Sequence, residues 1–179
     1  MPNHIANILI LKTNHHDIDK IMDDEFSFGK VVPEPTEQEN YDWYSWRCEN
    51  WGTKWDAYEF EQVKYEINQY EEITATYHFN TAWSPPDRWL AKVAWNFPNT
   101  NVELYWADED LPSSGWIKYT DRIKSDKYYS HSDPEAVEFL RDYFPDKYNF
   151  YQEYIGERNN SGEDSEENVD DENNSTASA

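Results

Sequence analysis

Three groups of residues in this sequence have side chains that could do chemistry: adjacent histidines, clustered carboxylates and closely spaced tryptophans. His15 and His16 stand beside Asp17 and Asp19 at the start of a predicted helix. Neighbouring residues on a helix point in different directions, so the two imidazoles are poor joint metal ligands. They read as a solvated helix terminus. His78 falls on the polar face of an alternating strand, and Cys48 is the only cysteine. A nucleophile needs its base within hydrogen-bond reach, and nothing in the spacing provides one. The five glycines form neither a G-x-x-x-x-G-K nor a G-x-G-x-x-G phosphate loop. The sequence therefore assigns no catalytic residue, metal ligand or cofactor, and the expectation is a protein that is not an enzyme.

Two carboxylate clusters, Asp23, Asp24, Glu25 and Asp108, Glu109, Asp110, could hold a divalent cation or supply an acid and a base. In a chain with 37 acidic residues such runs also arise from composition alone, as solvated faces. The tryptophans are more distinctive. In NWGTKWDAY, residues 50–58, Lys54 and Asp56 flank Trp55, where a cation–π contact or an ion pair could orient the indole. Gly52 supplies a sharp bend. With Trp83 of TAWSPP, Trp51 and Trp55 can pack together as an aromatic wall over a sheet. That wall either locks an irregular insertion onto the domain or lines a groove for a peptide, base or nucleotide. A third set, Tyr128, Tyr129, Tyr143, Tyr148, Tyr151 and Tyr154, crowds the C-terminal third among acidic neighbours. Tyrosine and tryptophan are the residues of interface hot spots.

The elements that must position these residues follow from periodicity. Residues 3–12 form a strand with Ile8 and Ile10 on one face and Leu9 and Leu11 on the other, which suits a central position. Thr13 or Asn14 can cap a helix whose stripe is Ile18, Ile21, Met22 and Phe26. Phe28–Val32 is expected to be extended, stopped by Pro33 and Pro35. Residues 36–58 are the least regular, and Tyr58, Phe60, Val63 and Tyr65 are hard to place. Ile73, Ala75, Tyr77 and Phe79 alternate with polar partners in the cleanest strand. Ser84 and Asp87 make a capping-box-like start to a helix with Leu90, Val93, Ala94 and Phe97 inward. Residues 101–108 form a strand, 115–120 an edge strand, and 132–144 a helix capped by Ser132 with Ala136, Val137, Leu140 and Phe144 inward. Strand, helix, strand, strand, helix, strand is the split βαβ order of a ferredoxin-like α+β fold. The sheet should be antiparallel with helices on one face, a Trp-rich insertion at about 36–70 and an added C-terminal helix. Residues 1–155 form this domain. Residues 156–179, with eight acidic residues and one arginine, are too polar to order themselves and read as a disordered acidic tail.

The formal charge is −22, of which −15 lies on residues 1–155. Phosphate backbones would be repelled, so no direct nucleic-acid binding is expected. A basic protein would be attracted and steered. No run reaches the roughly 20 apolar residues that span a bilayer. MPNHIANILILK has neither a basic leader region nor a small-residue cleavage site, so the cytoplasm is the simplest compartment.

Several phrases then line up: MPN at the start, PEP at 33–35, NWGTKWDAY, FNTAWSPP, and FP before a strand that ends in acidic residues. Together they resemble the phage and plasmid Api-like protein family, also described through its plasmid member as a YubB ferredoxin-like domain. The resemblance covers about residues 1–110; the helix at 132–144 and the acidic tail look like additions. It implies an accessory protein of a mobile element acting in a bacterial cell, and it carries over no catalytic residues. The expectation is binding to a host protein with a basic nucleic-acid-binding surface. A defence nuclease, of the CRISPR or restriction type, would be inhibited through an acidic, DNA-mimicking surface. The alternative is a small-ligand or nucleotide binder at the Trp-rich groove. The candidate binding residues are Trp51, Lys54, Trp55, Asp56, Trp83, Asp108, Glu109, Asp110, Tyr128 and Tyr129, and a homodimer is left open.

Overall fold

The structure is a computed structural model and describes residues 3–22, 26–36, 41–110, 113–130 and 133–152. Asp23, Asp24, Glu25, Ser132, Tyr154 and the acidic tail lie outside the described residues.

Strand β1 (His4–Thr13) buries Ile5, Leu9 and Leu11 on one face and half-buries Ile8 and Ile10 on the other. Two-sided burial puts it in the middle of the sheet. It pairs antiparallel with β3 (Ile73–Ala82), Leu9 opposite Tyr77, and with β4 (Asn101–Asp108), Leu9 opposite Leu104. Strand β2 (Tyr58–Ile67) adds to the far side of β3. Strands β5 (Ser113–Thr120) and β6 (Ile123–Ser130) extend the sheet beyond β4. The strand order is β2-β3-β1-β4-β5-β6, every neighbouring pair antiparallel. Its first four members have the ferredoxin-like arrangement.

Helix α1 (His15–Ile21) starts at Asn14, whose side chain accepts the Asp17 N–H. Helix α3 (Asp87–Asn96) presents Trp89, Leu90, Val93 and Ala94. Both helices cover one face, packing on Ile5, Leu9, Leu11, Tyr77, Phe79, Val102, Leu104 and Trp106. The added helix α4 (Pro134–Tyr143) covers part of the other face. There Ala136, Phe139, Leu140 and Phe144 meet Tyr105, Ala107 and Tyr129 in a second core.

Several local expectations are corrected. Phe28–Val32 is not a strand: Phe28–Lys30 is one turn of 3₁₀ helix, and the second strand is β2. The Asp56 carboxylate accepts from Phe28 N at 2.7 Å and Ser27 Oγ at 2.5 Å, which curls the chain and drops Phe28 into the core. Within residues 36–58 a helix, α2 (Trp43–Asn50), forms behind the Asp42 N-cap. Ser84 does not cap α3. The cap position is Pro86, without a side-chain bond, and Ser84 Oγ donates to Gly52 O instead. Residues 115–120 belong to an interior strand, because β6 pairs outside it. In α4 the inward ring is Phe139, while Val137 is only half-buried.

Candidate functional site

The two tryptophan phrases do meet. Thr53 Oγ1 donates to Ala82 O at 2.9 Å, Ser84 Oγ to Gly52 O at 2.6 Å, and Trp89 N to Trp51 O at 3.2 Å. Gly52 takes φ +88°, and a Cβ there would collide with Asp87, which leaves this bend to glycine.

The three tryptophans part company at this junction. Trp51 is 1% exposed and belongs to the core, its ring edge-on to Phe28 and Trp46 and its Nε1 donating to Val32 O. Its indole is therefore a core ring rather than part of the exposed surface. Asp56 is likewise structural, with its oxygens on Ser27, Phe28 and Ala57. Trp83 stays at the surface, 48% exposed. Its φ of +73° lies in the left-handed region, uncommon for so bulky a residue. Such strain persists where the surroundings impose it, and it clusters at functional positions.

Around Trp83 runs a ladder of rings and cations. Lys54 Nζ lies 4.2 Å from the Trp83 ring centroid and 5.3 Å from that of Trp55. Tyr44 meets Trp83 edge-on at 6.0 Å, and Trp43 meets Tyr44 in the same way at 6.0 Å. Arg47 continues the row, over Trp43 at 5.2 Å and Trp51 at 5.0 Å, with a hydrogen-bonded ion pair to Glu34 behind it. That pairing holds the Glu34 carboxyl below its usual range: burial raises it, but bonds from Arg47 and Tyr41 prevail. Trp43, Tyr44 and Trp83 are all exposed by a third or more. Helix α2 buries no residue completely: Trp46 packs against Trp51 and the core, while Trp43 and Tyr44 face outward.

The remaining sequence candidates scatter. Asp108 is buried and accepts Asp110 N, while Glu109 accepts His4 N. These bonds tie down the end of β4, and among the described residues no group of acidic, His or Cys side chains is placed to hold a metal ion. Tyr129 is buried against Phe139, whereas Tyr128, on the opposite face of β6, is 62% exposed beside Trp106. Tyr151 is buried and Tyr143 stacks on Tyr105 at 4.0 Å. The C-terminal tyrosines therefore build a core more than a surface.

Sequence reasoning missed a cleft of about 410 Å³ between the end of α4 and the uncovered part of the sheet. Glu59, His78, Asn80, Asp146 and Lys147 line it. Glu59 sits at a β-bulge with φ +53° and accepts from Asn80 Nδ2 at 2.5 Å. Burial lowers the Lys147 ammonium pKa, partly offset by Glu109, Asp108 and Asp110. The broken alternation of residues 58–64 is the one sequence signal that marked this bulge.

Residues 50–175 match the family model described as the ferredoxin-like domain in Api92-like protein. The chain belongs to this family. The matched residues span β2 through α4 and so include β5, β6 and α4. No curated protein matches the chain. No solved structure matches it either. The Api92-like fold holds no helix, among the described residues, long and apolar enough to cross a membrane.

Proposed function

We propose that this Api92-like protein is a non-enzymatic accessory protein of a phage or other mobile element that binds a basic host protein in the bacterial cytoplasm. The narrower target is a defence nuclease of the CRISPR or restriction type, blocked at its nucleic-acid channel. The observation that carries the reading is Trp83: exposed, held at a left-handed φ, and joined by Lys54, Tyr44 and Trp43 into one outward-facing patch. Large rings of low side-chain entropy are what hot spots are made of. The charge of −22 supplies steering toward a basic partner and the DNA-like character of the surface. The test is cleavage by candidate nucleases with the full chain added. Inhibition that is lost in Trp43→Ala/Trp83→Ala supports the proposal. Inhibition that ignores both the patch and reversal of surface glutamates sinks it.

A second reading keeps a small ligand but moves it. Lys54 lies against both Trp55 and Trp83, whereas the cleft is open and sets Glu59, His78, Asn80 and Lys147 beside apolar walls from Ile8 and Phe144. A thermal-shift panel of nucleotides and metabolites, repeated on Glu59→Ala, tests it. A shift shared by both proteins would place the ligand elsewhere.

A further inference from the structure

The sheet ends at β2, and among the described residues nothing pairs with its outer side. An unpaired strand edge is a template for another strand. Here the edge is long and exposed from Glu61 to Ile67, and it carries Val63, Tyr65 and Ile67 at 49%, 40% and 50% exposure.

The register with β3 shows which backbone groups point outward. Asn68 N bonds Glu72 O, and the pairing continues as Ile67 with Ile73, Glu66 with Thr74, Tyr65 with Ala75 and Lys64 with Thr76. In an antiparallel ladder, bonded and non-bonded pairs alternate. Glu66 and Lys64 therefore bond inward to β3, and the N–H and C=O groups of Tyr65 and Ile67 face the open edge. Their side chains share the helix-bearing face with Ala75 and Ile73, and those of Lys64 and Glu66 share the other face.

We propose that β2 pairs antiparallel with the β2 of a second copy of this chain, Tyr65 opposite Tyr65, to make one continuous sheet through a two-fold axis. Three features select this occupant and this register. Pairing Tyr65 with Tyr65 matches outward donors with outward acceptors. It places Lys64 opposite Glu66 twice, replacing the exposed Lys64–Glu66 pair within one strand, 2.9 Å, by two pairs across the interface. It brings Val63, the extra residue of the bulge between Gln62 and Lys64, across from Ile67 on both sides of the axis. Sliding the strands so that Lys64 faces Lys64, or Glu66 faces Glu66, sets like charges together. The charge and apolar pattern of the strand is complementary to itself in one alignment, the requirement of a two-fold interface.

Sedimentation equilibrium of the full chain tests this, with circular dichroism to verify folding. A reversible species of twice the 21.5 kDa chain mass is expected. Lys64→Glu and Glu66→Lys should each weaken it by roughly tenfold or more. The exchange Lys64→Glu/Glu66→Lys should restore it, and an equimolar mixture of the two single variants should form a heterodimer. Amide exchange at Tyr65 and Ile67 should slow as protein concentration rises. A folded chain that stays monomeric at every concentration overturns the proposal. So does a dimer indifferent to Lys64→Glu, a folded double variant that does not reassociate, or exchange at Tyr65 that ignores concentration.

Discussion

The Lys54 ammonium lies 4.2 Å from the centroid of the Trp83 ring, on a residue whose backbone adopts φ +73°. Glycine occupies that conformation without steric cost, whereas a side chain there costs about 1–2 kcal/mol. Trp83→Gly should thus leave stability in urea within about 1 kcal/mol of the parent, lost ring contacts offsetting relieved strain. Partner capture should be lost, since the ring is gone. A large drop in stability would instead make Trp83 a structural residue.

Asp56 has the opposite character. Its carboxylate satisfies Phe28 N and Ser27 Oγ, and Phe28 is wholly buried. Asp56→Ala should cost about 1–3 kcal/mol in urea unfolding by leaving those donors unpaired. It should change partner binding only in proportion to the unfolded fraction.

Gly52 is tested by the smallest addition. Gly52→Ala forces a Cβ into Asp87 at a left-handed φ and should cost about 1–3 kcal/mol. Because Trp51 and α3 join there, its near-ultraviolet dichroism should also change. An unaltered spectrum and stability would contradict the described junction.

Glu103 makes stability depend on pH. Burial would raise its pKa, but Lys12, Lys118 and the Tyr105 hydroxyl hold the carboxyl down at about 2, well below the usual 4.5. A carboxylate depressed on folding stabilises fully above its unfolded pKa and loses that contribution as pH falls toward the folded one. Between about pH 5 and pH 2 the parent should therefore lose on the order of 1–2 kcal/mol more than Glu103→Gln, after allowance for solvent screening. Equal losses in the two proteins would remove Glu103 from the acid response.

Legibility in the sequence follows how each residue earns its burial. Strands β1 and β3 are readable because alternation or two-sided apolarity persists along each whole strand. Strand β2 is obscure because it lies at an edge, breaks register at two points and exposes Val63, Tyr65 and Ile67. Strand β6 is obscure for a similar reason: of Ile123–Tyr129, only Tyr129 is buried. The meeting of NWGTKWD with TAWSPP is readable as a pairing, but the fates of Trp51 and Trp83 are not. Both sit in polar surroundings in the sequence. Only the turn at Gly52 and the twist at Trp83 send one indole inward and the other outward. Asp56 looked like an orienting partner for Trp55, yet its bonds go to residues 27 and 28, a long-range pairing that no local spacing reveals.

The central claim, that the Trp83 patch of an acidic protein engages a basic nucleic-acid-binding host protein, is tested most directly by quantitative affinity capture. The tagged full chain and its Trp43→Ala/Trp83→Ala variant, both verified as folded, would be compared in nuclease-treated bacterial lysate. The captured protein would then be purified and its DNA binding measured with and without the chain. The expected result is a nucleic-acid-binding protein retained by the parent and not by the variant, whose affinity for DNA falls when the chain is bound. Equal retention by both baits, or a captured protein whose DNA binding is unaffected, would contradict the claim.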